Sequence, residues 1–158
     1  MTLQPLDPSA FSALAEAEAK VVAEFVHVLR QEQEALIAGQ IDQIQPLAST
    51  KESYCKSLDL YARKRLMLLS ASGLSAGTSL SAWLSEQEAS VRDPWAALLK
   101  IAGEAQDLNR QNGQLIANRM QSNSQALNVL LSAADRASLY GPDGQPRTGL
   151  GGRMLGKV

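Results

Sequence analysis

A chain of 158 residues with 45% hydrophobic side chains is long enough for one domain with its own core and too short for two of ordinary size. Only 4% of the residues are aromatic, so the core must be built from Leu, Ile, Val and Ala, a composition that favours an all-α chain over a β-sandwich. The 15 basic and 16 acidic residues are well mixed and sum to −1, which excludes the electrostatic footprint of a nucleic-acid binder, and no stretch approaches the ~18 consecutive apolar residues of a membrane span.

Asp7 and Pro8 open the first element, the aspartate as cap and the proline at the first helical position, where its missing N–H would have been unpaired anyway. Phe11, Leu14, Val21, Phe25, Val28, Leu29 and Leu36 then recur at threes and fours, and Gly39 supplies a stop. The pattern predicts a helix over Pro8–Ala38. A second periodic stretch runs through Ile44, Leu47, Ala48, Tyr54, Leu58, Tyr61, Leu68 and Leu69, with Asp42 as its cap and Gly73 as its stop. Pro46 then falls in the first turn, where a proline is tolerable.

Residues 70–78 are small and polar and form a connection. Over residues 79–91 two readings stay open: a short helix capped by Thr78 or Ser79, or a loop pinned by Trp83. Asp93 and Pro94 repeat the cap-and-proline opening of the first helix. From Trp95 onward apolar positions continue at threes and fours to Leu139, with no proline before Pro142. One helix of about 45 residues would be ~65 to 70 Å long, more than two helices of about 30 residues can cover. The expected fold is therefore an all-α antiparallel bundle of three long helices, with an over-long last helix.

The first two helices carry opposite charge. Over Ser9–Ala38 five glutamates face Lys20 and Arg30, whereas over Asp42–Ser70 five Lys or Arg face three acids. Antiparallel packing of the two is favoured, weakly, because exposed pairs contribute well under ~1 kcal/mol each.

Candidates for chemistry are few. His27 is the only histidine, so two-histidine metal sites are excluded, and a solvated or partly packed helix position is its expected role. Cys55 is the only cysteine; it cannot form an internal disulfide, and core filling is expected of it rather than a reactive thiol. No phosphate-binding loop, dinucleotide fingerprint or nucleophile elbow occurs. No enzyme activity, cofactor or metal is expected. The region Met1–Phe11 has neither a basic leader nor an apolar run of signal-peptide length, which makes the cytoplasm the expected compartment.

Two features need another explanation. Asn109, Asn112, Arg119 and Asn123 stand at or beside seam positions of the long helix where leucine would be expected. Such residues either set register within a bundle or line a wet or partner-facing surface. Gly103 and Gly113 interrupt the same helix, each costing ~1 kcal/mol relative to alanine. The last eighteen residues, Gly141–Val158, hold six of the eleven glycines and two of the six prolines, so they should not fold alone. Residues 1–140 then form the helical domain and residues 141–158 a flexible tail. Leu150, Met154, Leu155 and Val158 in that tail share one face of a helix that a partner could induce, the other reading being an inert terminus.

The order of Leu108-Asn109, Asn112-Gly113, Leu115-Ile116 and Leu139-Tyr140-Gly141 before a glycine-rich tail resembles the FlgN family of bacterial flagellar export chaperones. The earlier Ala35-Leu36, Gly39, Asp42, Leu47 and Lys51 fit the same pattern. The resemblance covers most of the chain and rests on order and spacing. It implies a cytoplasmic, ATP-independent chaperone that holds the hook–filament junction proteins FlgK and FlgL and presents them to the flagellar type III export apparatus. It also implies that the C-terminal region engages the C-terminal end of the client.

On this chain the client-binding residues would be Leu127, Leu130, Leu131, Ala134, Leu139 and Tyr140 on the distal part of the long helix, helped by Leu150, Met154 and Leu155. A groove that shields a client's amphipathic helix from aggregation is the physical rationale. A monomer or weak dimer is expected. The rival reading is a structural coiled-coil protein whose long helix pairs with its own copy.

Overall fold

A computed structural model describes residues 2–75 and 77–139. Among them every regular element is helical: α1 Pro8–Ala38, α2 Ile41–Ala71, α3 Thr78–Ser85 and α4 Ala89–Leu139. The chain divides into two compact units, Met1–Ile116 and a second that begins at Ala117. The first comprises α1, α2, α3 and the opening of α4; the second holds the remainder of α4.

α1 begins and ends where local chemistry dictates. The Asp7 carboxylate accepts from the Ser9 N–H at 3.0 Å, and Pro8 stands just inside the helix. At the other end Gly39 adopts φ 73°, a left-handed conformation that lacks steric cost only without a side chain. Eleven side chains of α1 are buried, whereas α2 contributes only Leu69. α1 is thus the central helix of its unit.

Contacts along α1 fix the direction of its neighbours. Glu18 pairs with Arg65, Phe25 with Tyr54, and Glu32 with Lys51, so α2 descends as α1 ascends. Phe11 meets Trp95, Arg30 pairs with Glu104, and the Gln33 side chain bonds Gln111, so α4 runs in the same sense as α1. The opposite charges of α1 and α2 meet at Glu18–Arg65 and Glu32–Lys51, whose carboxylates are nearly buried. Lys56–Glu52 and Arg63–Asp59 add exposed pairs one turn apart on α2, worth little individually.

The core has two parts. Ala15, Val22, Phe25, Val26 and Leu29 of α1 pack with Leu98 and Ala105 of α4, while Tyr54 and Leu58 close the α2 side. Leu6, Phe11, Leu69 and Leu80 form the second cluster, with Trp83 and Trp95 against it. Phe11 lies at 5.3 Å from both tryptophan rings, edge-on to Trp83, a favoured aromatic geometry. α3 therefore seals the end of the unit. Within residues 79–91 the stretch to Ser85 belongs to α3 and Ala89 onward to α4, and Trp83 pins it as well. At Gly73, φ 70°, a β-carbon would come within 3.0 Å of the Leu3 side chain, so this turn requires glycine.

Three starts and one side chain differ from the sequence reading. Asp42 is not the cap of α2: the left-handed Gly39 turns the chain so sharply that the helix resumes at Ile41, with Gln40 in the cap position. Asp42 stands instead in the first turn, where its charge complements the helix dipole, and Pro46 lies one turn inside. Neither Thr78 nor Ser79 caps α3. Gly77 holds that position, and the Ser79 hydroxyl bonds the Ser75 backbone at both its carbonyl and its N–H.

α4 starts at Ala89, before Asp93 and Pro94, because the Glu88 carbonyl already accepts from the N–H groups of Val91 and Arg92. Pro94 cannot donate to the Ser90 carbonyl four residues earlier. The hydroxyl of Ser12 on α1 donates there instead, at 3.2 Å. Cys55, expected in the core, is exposed, since α2 places almost nothing in the interior. Nothing lies within 4 Å of where a β-carbon would stand on Gly103 or Gly113, so no neighbouring backbone approaches α4 at those points.

Candidate functional site

The polar residues of the α4 seam separate into two groups with different surroundings. Asn112 is completely buried; its amide donates to the Leu29 carbonyl and to Glu32, each at 2.8 Å. Lys51 reaches the same carboxylate at 3.1 Å and also donates to Asn109 Oδ1 at 2.9 Å. Glu32 is thereby held by α2 and α4 at once. A one-turn slip of either helix would strand a buried carboxylate, so this layer sets register. That is the first of the two readings open for Asn109 and Asn112. Arg119 is half-buried and Asn123 exposed.

Beyond Ala117 the character of α4 changes. Every described side chain from Gln121 to Arg136 is exposed, yet Leu127, Leu130 and Leu131 are among them, at 55%, 67% and 55% exposure. Ala134 is exposed on the same helix. From Met120 to Ala134 no charged residue occurs; the polar positions are Ser, Asn and Gln. A helix surface that is both apolar and uncharged can be covered without stripping water from ions. Its Leu127, Leu130, Leu131 and Ala134 follow one another at the three- and four-residue spacing with which helices dock.

Leu139 is the last residue of α4. Tyr140, Leu150, Met154 and Leu155 lie outside the described residues. The structure thus brings Leu127, Leu130, Leu131 and Ala134 onto one exposed stretch. Two residues of the same stretch escaped the periodicity argument: Met120 and Val129, exposed at 66% and 68%. Val129 falls out of step with the leucines, so only the lack of charge around it could have flagged it.

The remaining chemistry is sparse. Among the described residues no group of three or more His, Cys, Asp or Glu could hold a metal ion, and no helix is long and apolar enough to cross a membrane. His27 is exposed. The phenol of Tyr54 is pushed above its ordinary pKa by burial, aided by a hydrogen bond and the charge of Glu24.

Comparison with known proteins gives a consistent result. The family model described as FlgN protein matches residues 7–148. A flagella synthesis protein FlgN from Salmonella typhimurium is 31% identical over 120 residues, which cover 75% of this chain and 76% of the relative. Its counterpart in Proteus mirabilis is 30% identical over 131 residues, 81% and 84% of the two chains. That of Yersinia enterocolitica is 32% identical over 132 residues, 82% of each. No solved structure matches the chain.

Proposed function

The chain belongs to the FlgN family, and from that premise we propose that it serves flagellum synthesis as a cytoplasmic export chaperone for the hook–filament junction proteins FlgK and FlgL. In this reading it binds the C-terminal amphipathic helical end of the client, keeps that end from aggregating or assembling early, and hands it to the export apparatus. The protein performs no chemistry. A three-helix antiparallel bundle of α1, α2 and the first part of α4 acts as the rigid body, and the distal part of α4 with the tail is the client-binding arm.

The observation that carries this reading is the exposure of Leu127, Leu130 and Leu131 on an uncharged stretch of helix. Large apolar side chains clustered on a surface mark a place that another molecule covers. A client helix laid against them removes two apolar stripes from water together. The tail would add Leu150, Met154 and Leu155. Ordering it costs about 1 to 2 kcal/mol per residue of backbone, which keeps binding reversible, as a transfer step requires.

Calorimetric titration of the purified chain with FlgK and FlgL tests the proposal. A one-to-one complex is expected, weakened when Leu139–Val158 is deleted. Unchanged affinity after that deletion would remove the tail from the mechanism, and no binding of either client by the full chain would refute the function itself. Sedimentation of the chain alone addresses the rival coiled-coil reading: a stable oligomer at micromolar concentration would favour it.

A further inference from the structure

The apolar surface of the arm is wider than one client helix needs. At about 100° per residue, the side chains of Leu131, Met120, Leu127, Ala134, Leu130, Ala126, Ala133 and Val129 are spread around about 200° of the helix, interrupted only by the small polar side chains of Asn123 and Ser122. Ser, Asn and Gln fill most of the rest. A helix that docks against a single neighbour presents a stripe of about 100°.

The same molecule supplies a calibration. The buried positions of α1, from Ala35 at one edge to Val26 at the other, sweep about 180° by the same measure, and α1 is covered by two helices, α2 and α4. A second observation lies at the far edge of the arm. Val129 and Ala133, with Asn128, Ser132 and Arg136, line an open surface groove along one side of the helix, away from Leu127 and Leu131.

Resting on the reading of this arm as the client-binding site, we infer that it receives two amphipathic helices side by side, as a helical hairpin of the client, rather than one. One helix lies over Met120, Leu127 and Leu131, the other over Val129 and Ala133, and Leu130 stands between them. Both must face the arm with mainly apolar stripes, because the arm offers no charge between Met120 and Ala134 to match one, and only the second helix meets a charge, Arg136 at its end.

Three consecutive residues test this, since Val129, Leu130 and Leu131 differ in direction around the helix while sitting at almost the same height. Val129→Asn, Leu130→Asn and Leu131→Asn are each titrated against full-length FlgK and FlgL, with helicity checked by circular dichroism. Each substitution is expected to weaken binding by about tenfold to a hundredfold. Loss at Leu130 and Leu131 with affinity at Val129 kept within about twofold would overturn the inference in favour of a single helix.

No loss at any of the three would take the client away from this arm, and the proposed site would fail with the inference. Client affinity kept while a dimer of the chain dissociates would make a second copy the occupant and overturn it as well. The titrations are repeated on the chain ending at Leu139. A Val129 effect that survives supports the hairpin, and one that disappears assigns the second position to the chain's own C-terminal segment and refutes it.

Discussion

Replacing Lys51 by methionine removes one charge from the layer that locks the three long helices together and leaves its partner behind. The Glu32 side chain is only 4% exposed, that of Lys51 22%, so the carboxylate depends on protein donors rather than water. Without Lys51 it retains the Asn112 amide alone. Breaking a buried pair on one side typically costs about 3 to 5 kcal/mol; the partial exposure of Lys51 lets some water return, which places the expected loss at about 2 to 3 kcal/mol.

Glu32→Gln in the Lys51→Met background removes the stranded charge while keeping the shape, and most of the loss should be recovered. Urea unfolding followed by circular dichroism reads the four stabilities of the cycle. A loss below about 0.5 kcal/mol in Lys51→Met, or no recovery in the double variant, would refute the account of this layer as a buried, register-setting ion pair.

Two further outcomes follow from the fold. Phe11→Ala should cost about 3 to 5 kcal/mol, because Phe11 is 1% exposed and touches both Trp83 and Trp95; tryptophan emission should shift to the red as water reaches the rings, and an unshifted spectrum would contradict the sealing role of α3. Pro46→Ala should raise stability by about 1 to 3 kcal/mol in urea, since it restores the helical bond to the Asp42 carbonyl inside α2 and removes the ring's clash. A loss of stability would mean that the helix is shaped around the proline.

What could be read from the sequence was local. The bounds of α1 follow from Asp7, Pro8 and Gly39, three residues whose effects reach no further than one turn. The starts of α2 and α4 were misplaced because Asp42 and Asp93 have the chemistry of caps without the position. Pro46 and Pro94 read as first-turn prolines, and both lie a turn deeper. The reason at Pro94 is tertiary: the carbonyl it frees is served by Ser12, 78 residues away in sequence. The same distinction governs the seam. That Asn112 is polar where leucine was expected is visible in the sequence; that Glu32 on α1 needs it is not, because glutamate on a helix reads as solvated until two neighbours bury it. The leucines of the arm were legible by spacing, and Val129 was not, because its place on the opposite edge matters only once the breadth of the exposed surface is known.

The two parts of α4 solve opposite problems with the same helix. Up to Ile116 the buried Asn112 amide N–H groups are bound to specific partners on α1, and a wrong register is penalised by a stranded charge. From Met120 to Ala134 there is no charge and no Trp, Tyr or Arg, the residue types that dominate tight interfaces. Affinity there must come from area spread over Leu, Val and Ala, with hydrogen bonds from Ser, Asn and Gln that adapt to more than one partner. A helix docked on such a surface would have no single anchoring contact, so it could be peeled away residue by residue. On the proposed function, a client that has to be handed on is better served by such a surface than by a tight pocket, while the buried layer at Glu32, Lys51 and Asn112 holds the long helices of the first unit in register.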